Sequence, residues 1–177
     1  VIKDIFDIVA CGATGYNWPG NRISIGVNDS WKFGKPTTHL LVANHASKFE
    51  PDRLSTIKNS TPIKFFSNSE SWRKYFPDMV HFRTESWNGQ LIKNRGLTTL
   101  TTSPVIAMHL AWQLGADRIV LWGVDFNDHP ECNGVKLKQE IRQYKAFIEA
   151  LKINGVEVYL GCEGSVLQEF LQIHEID

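Results

Sequence analysis

Several short apolar runs in this chain close on residues that can bind or catalyse. Asp7 to Cys11 runs into Gly12-Ala13-Thr14-Gly15. Two glycines around Ala-Thr allow a tight turn whose backbone N–H groups can meet a phosphate or a ribose. The spacing is neither G-x-G-x-x-G nor Walker A, so a plain tight turn is an equal reading. Arg22 to Val27 closes on Asn28-Asp29, and His39 to Ala43 closes on Asn44-His45. A side-chain amide holds a donor and an acceptor in one plane, which suits a base edge or a ribose hydroxyl. Each asparagine alone reads more readily as an Asx turn. Together with the glycine loop, on successive strand ends, they point to a nucleotide.

Further along, Arg118 to Trp122 ends in Gly123-Val124-Asp125-Phe126-Asn127-Asp128-His129. Gly123 permits close approach of a ligand, and Asp125, at the same edge, is a catalytic candidate. Asp125 has a second reading, in which it only holds its loop by accepting backbone N–H bonds. His129 is the nearest proton carrier, and His45 is a second acid–base candidate. Asp125 and Asp128 do not have the spacing of a metal motif, so no metal site is expected. His109 lies in an apolar helix and reads as a core histidine. His39, His81 and His174 have no partner recognisable from the sequence.

These residues need a frame that brings strand ends together. Besides the three runs above, Ile63–Phe66 and Met79–Phe82 read as short buried strands. The second half alternates helix and strand. Thr102 or Ser103 can cap a helix with Pro104 as its first residue, and Gly115 ends it. Arg118–Trp122 follows as a strand. A helix from about Val135 to Ile153 then carries an apolar stripe of Ile141, Tyr144, Ile148 and Leu151. Val156–Leu160 is a further strand, and a closing helix is expected from Ser165. Strand–helix–strand order implies right-handed crossovers and a mostly parallel sheet, a Rossmann-like α/β domain spanning residues 1–177. Ligands in such sheets sit beyond the carboxyl ends of the strands. Residues 68–99, with Trp72, Tyr75, Phe76 and Trp87, are the least regular and read as a flap or a loop pinned by aromatics.

Composition narrows the ligand class. Nineteen basic and nineteen acidic side chains balance, so no global field draws the 177-residue chain to nucleic acid or an anionic membrane. A phosphate would have to be held by local backbone groups and a few side chains. Cys11, Cys132 and Cys162 show no zinc or disulfide spacing and read as packing residues in a reducing, cytoplasmic setting. No apolar run is long enough for a membrane span, and the first residues read as a strand rather than a leader.

Thr101-Thr102-Ser103-Pro104-Val105-Ile106-Ala107-Met108, followed by Leu114-Gly115-Ala116-Asp117 and Arg118 to Phe126, resembles the bacterial sialyltransferases of glycosyltransferase family 42. That family has a Thr-Ser-Gly helix start, an Ala-Leu-Gly helix end and a strand closing in Gly-Ile-Asp-Phe. Its first-strand glycine loop and the asparagines after the second and third strands also have counterparts here. The resemblance implies a metal-independent site for a CMP-sugar-type nucleotide, with no cofactor. Gly12, Ala13, Thr14 and Gly15 would face ribose and phosphate, and Asn28 and Asn44 would hold the nucleotide. Thr102 and Ser103 would hold the sugar or its carboxylate, and Gly123 with Asp125 would close the floor. The family's glycine loop continues into Pro-Ser, where this chain has Ala-Thr-Gly-Tyr. Its arginine before Thr-Ser is Leu100 here, and its phosphate-binding tyrosines have no match at Val120 or Asn127. With a shorter segment after the strand, His129 stands in for the family's catalytic histidine.

Two alternatives share the architecture. Archaeal pterin pyrophosphokinases transfer pyrophosphate from ATP and would need magnesium, for which Asp125 and Asp128 are the clustered carboxylates. A relative that binds nucleotide without turnover is the other.

Overall fold

The structure is a computed structural model that describes residues 4–93, 95–98, 102–127 and 133–175. In chain order the elements are β1 (Ile5–Val9), β2 (Ile23–Val27), β3 (His39–Leu41), α1 (Pro51–Lys58) and β4 (Lys64–Ser67). Then come β5 (Val80–His81), β6 (Thr84–Glu85), β7 (Leu97–Thr98), α2 (Ser103–Gln113) and β8 (Arg118–Trp122). The chain continues through α3 (Gly134–Ile153) and β9 (Glu157–Leu160). Seven strands form one parallel sheet in the order β5-β4-β3-β2-β1-β8-β9, and β6 and β7 pair separately. This is the Rossmann-like α/β architecture that the alternating pattern implies.

Period-two alternation sorts side chains to the two faces of the sheet. Phe6 and Ile8 of β1 join Ile25, Ile119 and Leu121 under α2 and α3, where Ile106, Met108, Tyr144, Phe147 and Leu151 complete the main core. The α3 stripe packs as its spacing requires: Tyr144, Ile148 and Leu151 are buried and Ile141 is half-buried. Val9, Val120 and Trp122 point to the opposite face and are covered by Trp18 from the loop after β1.

Asp7 shares that opposite face and is fully buried in β1, between β2 and β8. Burial pushes its carboxyl above the usual carboxylate range, and the indole bonds and Arg22 pull against that shift. Trp18 Nε1 donates to it at 2.9 Å and Trp122 Nε1 at 3.1 Å, while Arg22 lies 3.8 Å away. Asp7 therefore ties the covering loop to both β1 and β8.

Three expectations change. Pro51–Lys58 is a helix that no apolar stripe announces, since only Ile57 is buried in it. The closing helix is a single 3₁₀ turn, Val166–Glu169, because residues 172–174 swing back to pair along Leu160. The α2 helix starts at Ser103, which places Pro104 at its second residue, still within the turn whose N–H groups lack helical partners. The irregular stretch splits in two. Trp72 is fully buried against Phe49, Phe65 and Phe76, and Trp87 packs on Phe147 at 5.1 Å. Trp72 is a core residue and Trp87 is half-buried against the main core, while 83–86 and 88–90 are exposed. No described helix is long and apolar enough to cross a membrane.

Candidate functional site

From β1 the chain moves outward through β2, β3, β4 and β5, and then returns to place β8 on the other side of β1. The carboxyl ends of β1 and β8 are thus the topological switch point, where connections leave in opposite directions and open a crevice. The glycine loop and the Gly123–Asp125 segment meet there. Gly12 N donates to Gly123 O at 2.8 Å. Thr14 N donates to one Asp125 carboxylate oxygen at 2.8 Å, and the Thr14 hydroxyl donates to the other. That hydroxyl also accepts from Gly123 N at 2.8 Å.

Neither glycine can be replaced without displacing backbone. A Cβ on Gly12 would lie 2.5 Å from both Gly123 O and Asp125 Oδ2. On Gly123, where φ is +70°, it would lie 2.3 Å from Ala10 O. Asp125 is buried, and its carboxylate serves as the lock between two loops, which is the holding role open to it in the sequence. Phe126, next in line, is held at φ +60°. The loop after β9 closes over the same place: Ser165 Oγ donates to Val124 O at 2.6 Å, and Val166 N donates to Asp125 O at 3.0 Å.

Thr102 and Ser103 arrive by a different route. A crossover helix runs antiparallel to the strand it feeds, so the N-terminus of α2 lies at the carboxyl edge. Thr102 holds the N-cap position but does not bond back to its own helix. Its hydroxyl instead pairs with Tyr144 Oη at 2.6 Å, and the Tyr144 ring meets Phe126 edge-on at 5.1 Å. This chain of contacts links the α2 terminus to the residue after Asp125. The positive end of the helix dipole, with the first-turn amides not capped by Thr102, favours an anion.

The asparagines are disposed differently. Asn28 adopts φ +54°, a left-handed conformation that asparagine tolerates, and its N–H donates to Leu41 O at 3.0 Å. Its amide oxygen is buried, and no described residue donates to it. Asn44 is exposed; its carbonyl accepts from Trp72 Nε1 at 2.7 Å. His45 is exposed and caps the 46–48 turn, with Nδ1 accepting from Ser47 N at 3.2 Å. Strand spacing puts the end of β3 about 10 Å from the end of β1. His129, Asp128 and Cys132 lie outside the described residues, as does Leu100. Cys11 and Cys162 are free thiols, and burial followed by the Asp29 charge pushes Cys11 up to about 12. Among the described residues no three histidine, cysteine, aspartate or glutamate side chains gather as a metal site.

Three residues at this edge escaped the sequence reading. Asn68 follows β4 as Asn28 follows β2, and its buried amide oxygen likewise has no described partner. The strand-then-asparagine signature used for Asn28 and Asn44 would have found it. Arg53 donates to Asp29 at 2.7 Å and lies over the Phe49 ring at 5.2 Å. Lys32 donates to Cys11 O at 2.8 Å. Nothing local marks these two cations, because their neighbours are set by the fold.

No protein-family model matches the sequence, and no curated protein matches it. Solved structures share its fold. The sialyltransferase CstII from Campylobacter jejuni, in complex with the substrate analogue CMP-3FNeuAc, matches over 98% of this chain and 87% of its own, at 14% identity and a TM-score of 0.57. An α-2,3-sialyltransferase from the same organism, in apo form, matches over 98% and 80%, at 16% identity and a TM-score of 0.60. CST-II in complex with a trisaccharide acceptor and CMP matches over 96% and 86%, at 15% identity and a TM-score of 0.57. The chain therefore has the sialyltransferase fold across nearly its whole length.

Proposed function

We propose that this chain binds a cytidine nucleotide sugar along the carboxyl edge of its sheet and acts as a metal-independent, sialyltransferase-like glycosyltransferase. The observation that carries the reading is the buried amide oxygen of Asn28, with no donor among the described residues, beside a switch point built by Gly12, Thr14, Gly123 and Asp125. The likeness to sialyltransferases, solved with CMP or a CMP-sugar analogue, supports it.

In this reading the nucleotide amino group satisfies Asn28, and Asn44 contributes its exposed amide. Gly12, Ala13, Thr14 and Gly15 give the loop its close approach, while Thr14 and Asp125 keep that loop rigid. The first-turn amides at Thr102 and Ser103 face the developing charge on the leaving phosphate, where fixed dipoles are worth most. Displacement at the anomeric carbon moves the acceptor hydroxyl's proton to His129 or His45 as base. The site needs no cofactor beyond the nucleotide-sugar substrate, and the free thiols suit a cytoplasmic protein.

A thermal-shift series with CMP, CDP, UDP, GDP and ATP, each with and without magnesium, tests the reading. A ligand at about 100 times its Kd adds roughly 2.7 kcal/mol, or about 5–10 °C for a chain of this size. A metal-independent shift with CMP that Asn28→Gly cuts to about half is the expected result. A magnesium-dependent shift with ATP alone would replace it with pyrophosphoryl transfer. Transfer of sialic acid from CMP-sialic acid, lost in His129→Ala or His45→Ala, then separates a transferase from a binding protein.

A further inference from the structure

We infer that Asn68, at the end of β4, binds hydroxyl groups of the acceptor, a carbohydrate. The inference rests on the nucleotide-sugar reading and adds to it a residue one strand beyond Asn44.

The register of the sheet sets the side on which Asn68 emerges. Leu41 lies beside Phe66, and the ladder continues as Val42 N donates to Phe66 O at 3.0 Å, which brings Ala43 beside Asn68. Leu41 and Phe66 belong to the core under α2, and Ala43 packs against it. Asn68, two residues after Phe66, therefore leaves the carboxyl edge on the α2 side, where Thr102 and Ser103 open that helix. Its backbone is held from both directions. Ser67 Oγ donates to Val42 O at 2.6 Å and accepts from Ser69 N at 3.0 Å. Trp72 Nε1 donates to Asn44 O at 2.7 Å and Ala46 N to Ser71 Oγ at 2.9 Å, so the loops carrying Asn44 and Asn68 are bonded to each other.

None of these bonds uses the Asn68 amide. Its oxygen is buried with no donor among the described residues, while the side chain as a whole is half-buried and its nitrogen is not enclosed with the oxygen. A planar amide with both ends uncommitted matches two neighbouring hydroxyls of a sugar ring, one accepting and one donating. Charge points the same way. Ala43, Ser67 and Ser69 beside it are neutral, and the nearest ionic groups along the chain, Glu70 and Arg73, pair with each other at 2.7 Å. A neutral polar spot suits hydroxyls better than a phosphate. Distance assigns those hydroxyls to the acceptor. The end of β4 lies about 10 Å from that of β2 and about 14 Å from that of β1, the two strands on which α2 packs. With the leaving phosphate at the start of α2, the attacking hydroxyl must come from the far side of the anomeric carbon, which is the β4 end of the edge. No bond is made or broken at Asn68, whose part is to hold the acceptor.

Wild type, Asn68→Ala and Asn68→Asp of the whole chain test this, with lactose and N-acetyllactosamine as glycan probes. Saturation-transfer NMR with CMP present reads glycan binding, calorimetry reads CMP, and thermal unfolding reads the fold. In Asn68→Ala the glycan affinity should fall about tenfold, the loss of two neutral hydrogen bonds. CMP affinity and melting temperature should hold, because the oxygen removed has no described donor. Asn68→Asp keeps the shape and an acceptor but not the N–H donors. It should share most of the loss, and it serves alone if Asn68→Ala does not fold. Unchanged glycan affinity in the variants, or no binding of either glycan by wild type, would overturn the inference. So would a lower melting temperature with equal losses for glycan and CMP, which would give Asn68 a purely structural role. If wild type binds no cytidine compound, the nucleotide-sugar reading fails. Glycan binding without CMP that is lost in Asn68→Ala would then still support a carbohydrate site at the end of β4, and its absence in wild type would refute one.

Discussion

At the junction of β1 and β8 the polar groups of Thr14, Gly123 and Asp125 are spent on one another, whereas at the ends of β2 and β4 the buried oxygens of Asn28 and Asn68 have no described donor. Both places belong to one sheet edge and are built by similar strand-to-turn sequences. A buried polar group left unpaired costs about 1–3 kcal/mol, so a fold retains one only where something else depends on it. The contrast divides the edge into a frame, which sets the shape of the crevice, and a face, which awaits a partner. Substitutions in the frame should appear first as lost stability. Those on the face should appear as lost binding.

The largest effect should come from Gly123→Ala. Its φ of +70° is strained for any residue with a side chain, and the new Cβ would sit 2.3 Å from Ala10 O, a backbone atom that cannot move alone. Strain and overpacking together should cost about 3–5 kcal/mol, visible as a lower urea midpoint at unchanged slope. A cost below about 1 kcal/mol would show that the junction yields, and the division into frame and face would lose its basis.

Acid should produce the next effect, away from the edge, on another group whose bonding capacity is spent. His109 is buried in α2, and its Nδ1 accepts from Thr98 N at 2.9 Å. Burial lowers its pKa to about 4, with the Glu85 charge as the opposing influence. The unfolded chain takes up the proton near pH 6.5 and the folded one only near 4, so the stabilisation is complete above 6.5. It should fall by about 3 kcal/mol as pH drops through that window. His109→Gln, followed by denaturation at several pH values, should flatten the slope between pH 4 and 6.5. An unchanged slope would assign the acid sensitivity elsewhere.

Asp125→Ala should cost about 2–4 kcal/mol by leaving the Thr14 N–H and hydroxyl without their acceptor. Thr14→Val should cost less, and the double variant should cost clearly less than the sum of the two, since they share one interaction. Additive losses would mean that the contact does not hold the loops. Full stability with abolished turnover would move Asp125 from the frame to the face, as an acid–base group.

Much of the frame could be read without coordinates. Strands β1, β2, β8 and β9 are short apolar runs ended by glycine or polar residues, and α2 begins at Ser103-Pro104 and ends at Gly115, so local rules suffice. Helix α1 was invisible because seven of its eight residues are not buried and no apolar period emerges. The turn after Ser165 also defied a local rule, because the chain is drawn back to Leu160 by pairing with residues 172–174. At the site, Gly12, Asn28 and Gly123 could be picked by type and position alone. Which groups bind one another could not. Thr14 and Asp125 are 111 residues apart, and Arg53 and Asp29 are 24, and only strand order brings either pair together.

The smallest change in stability should accompany the sharpest test of the face. Asn28 sits at φ +54°, so Asn28→Gly relieves a mild backbone penalty while removing the buried oxygen and its desolvation cost. The glycine's greater freedom in the unfolded chain offsets part of that gain, and the net change should stay within about 0.5 kcal/mol. Alanine would blur the test by forcing a side chain without local hydrogen bonds into the left-handed region. Affinity for CMP should nevertheless fall about tenfold in Asn28→Gly, the loss expected for a buried hydrogen bond. Calorimetry beside thermal unfolding reads both quantities on one preparation. If stability falls while affinity holds, the Asn28 oxygen is satisfied within the folded chain and belongs to the frame. If affinity falls and stability holds, the Asn28 oxygen marks where the nucleotide sits, and Asn68 becomes the next residue to remove.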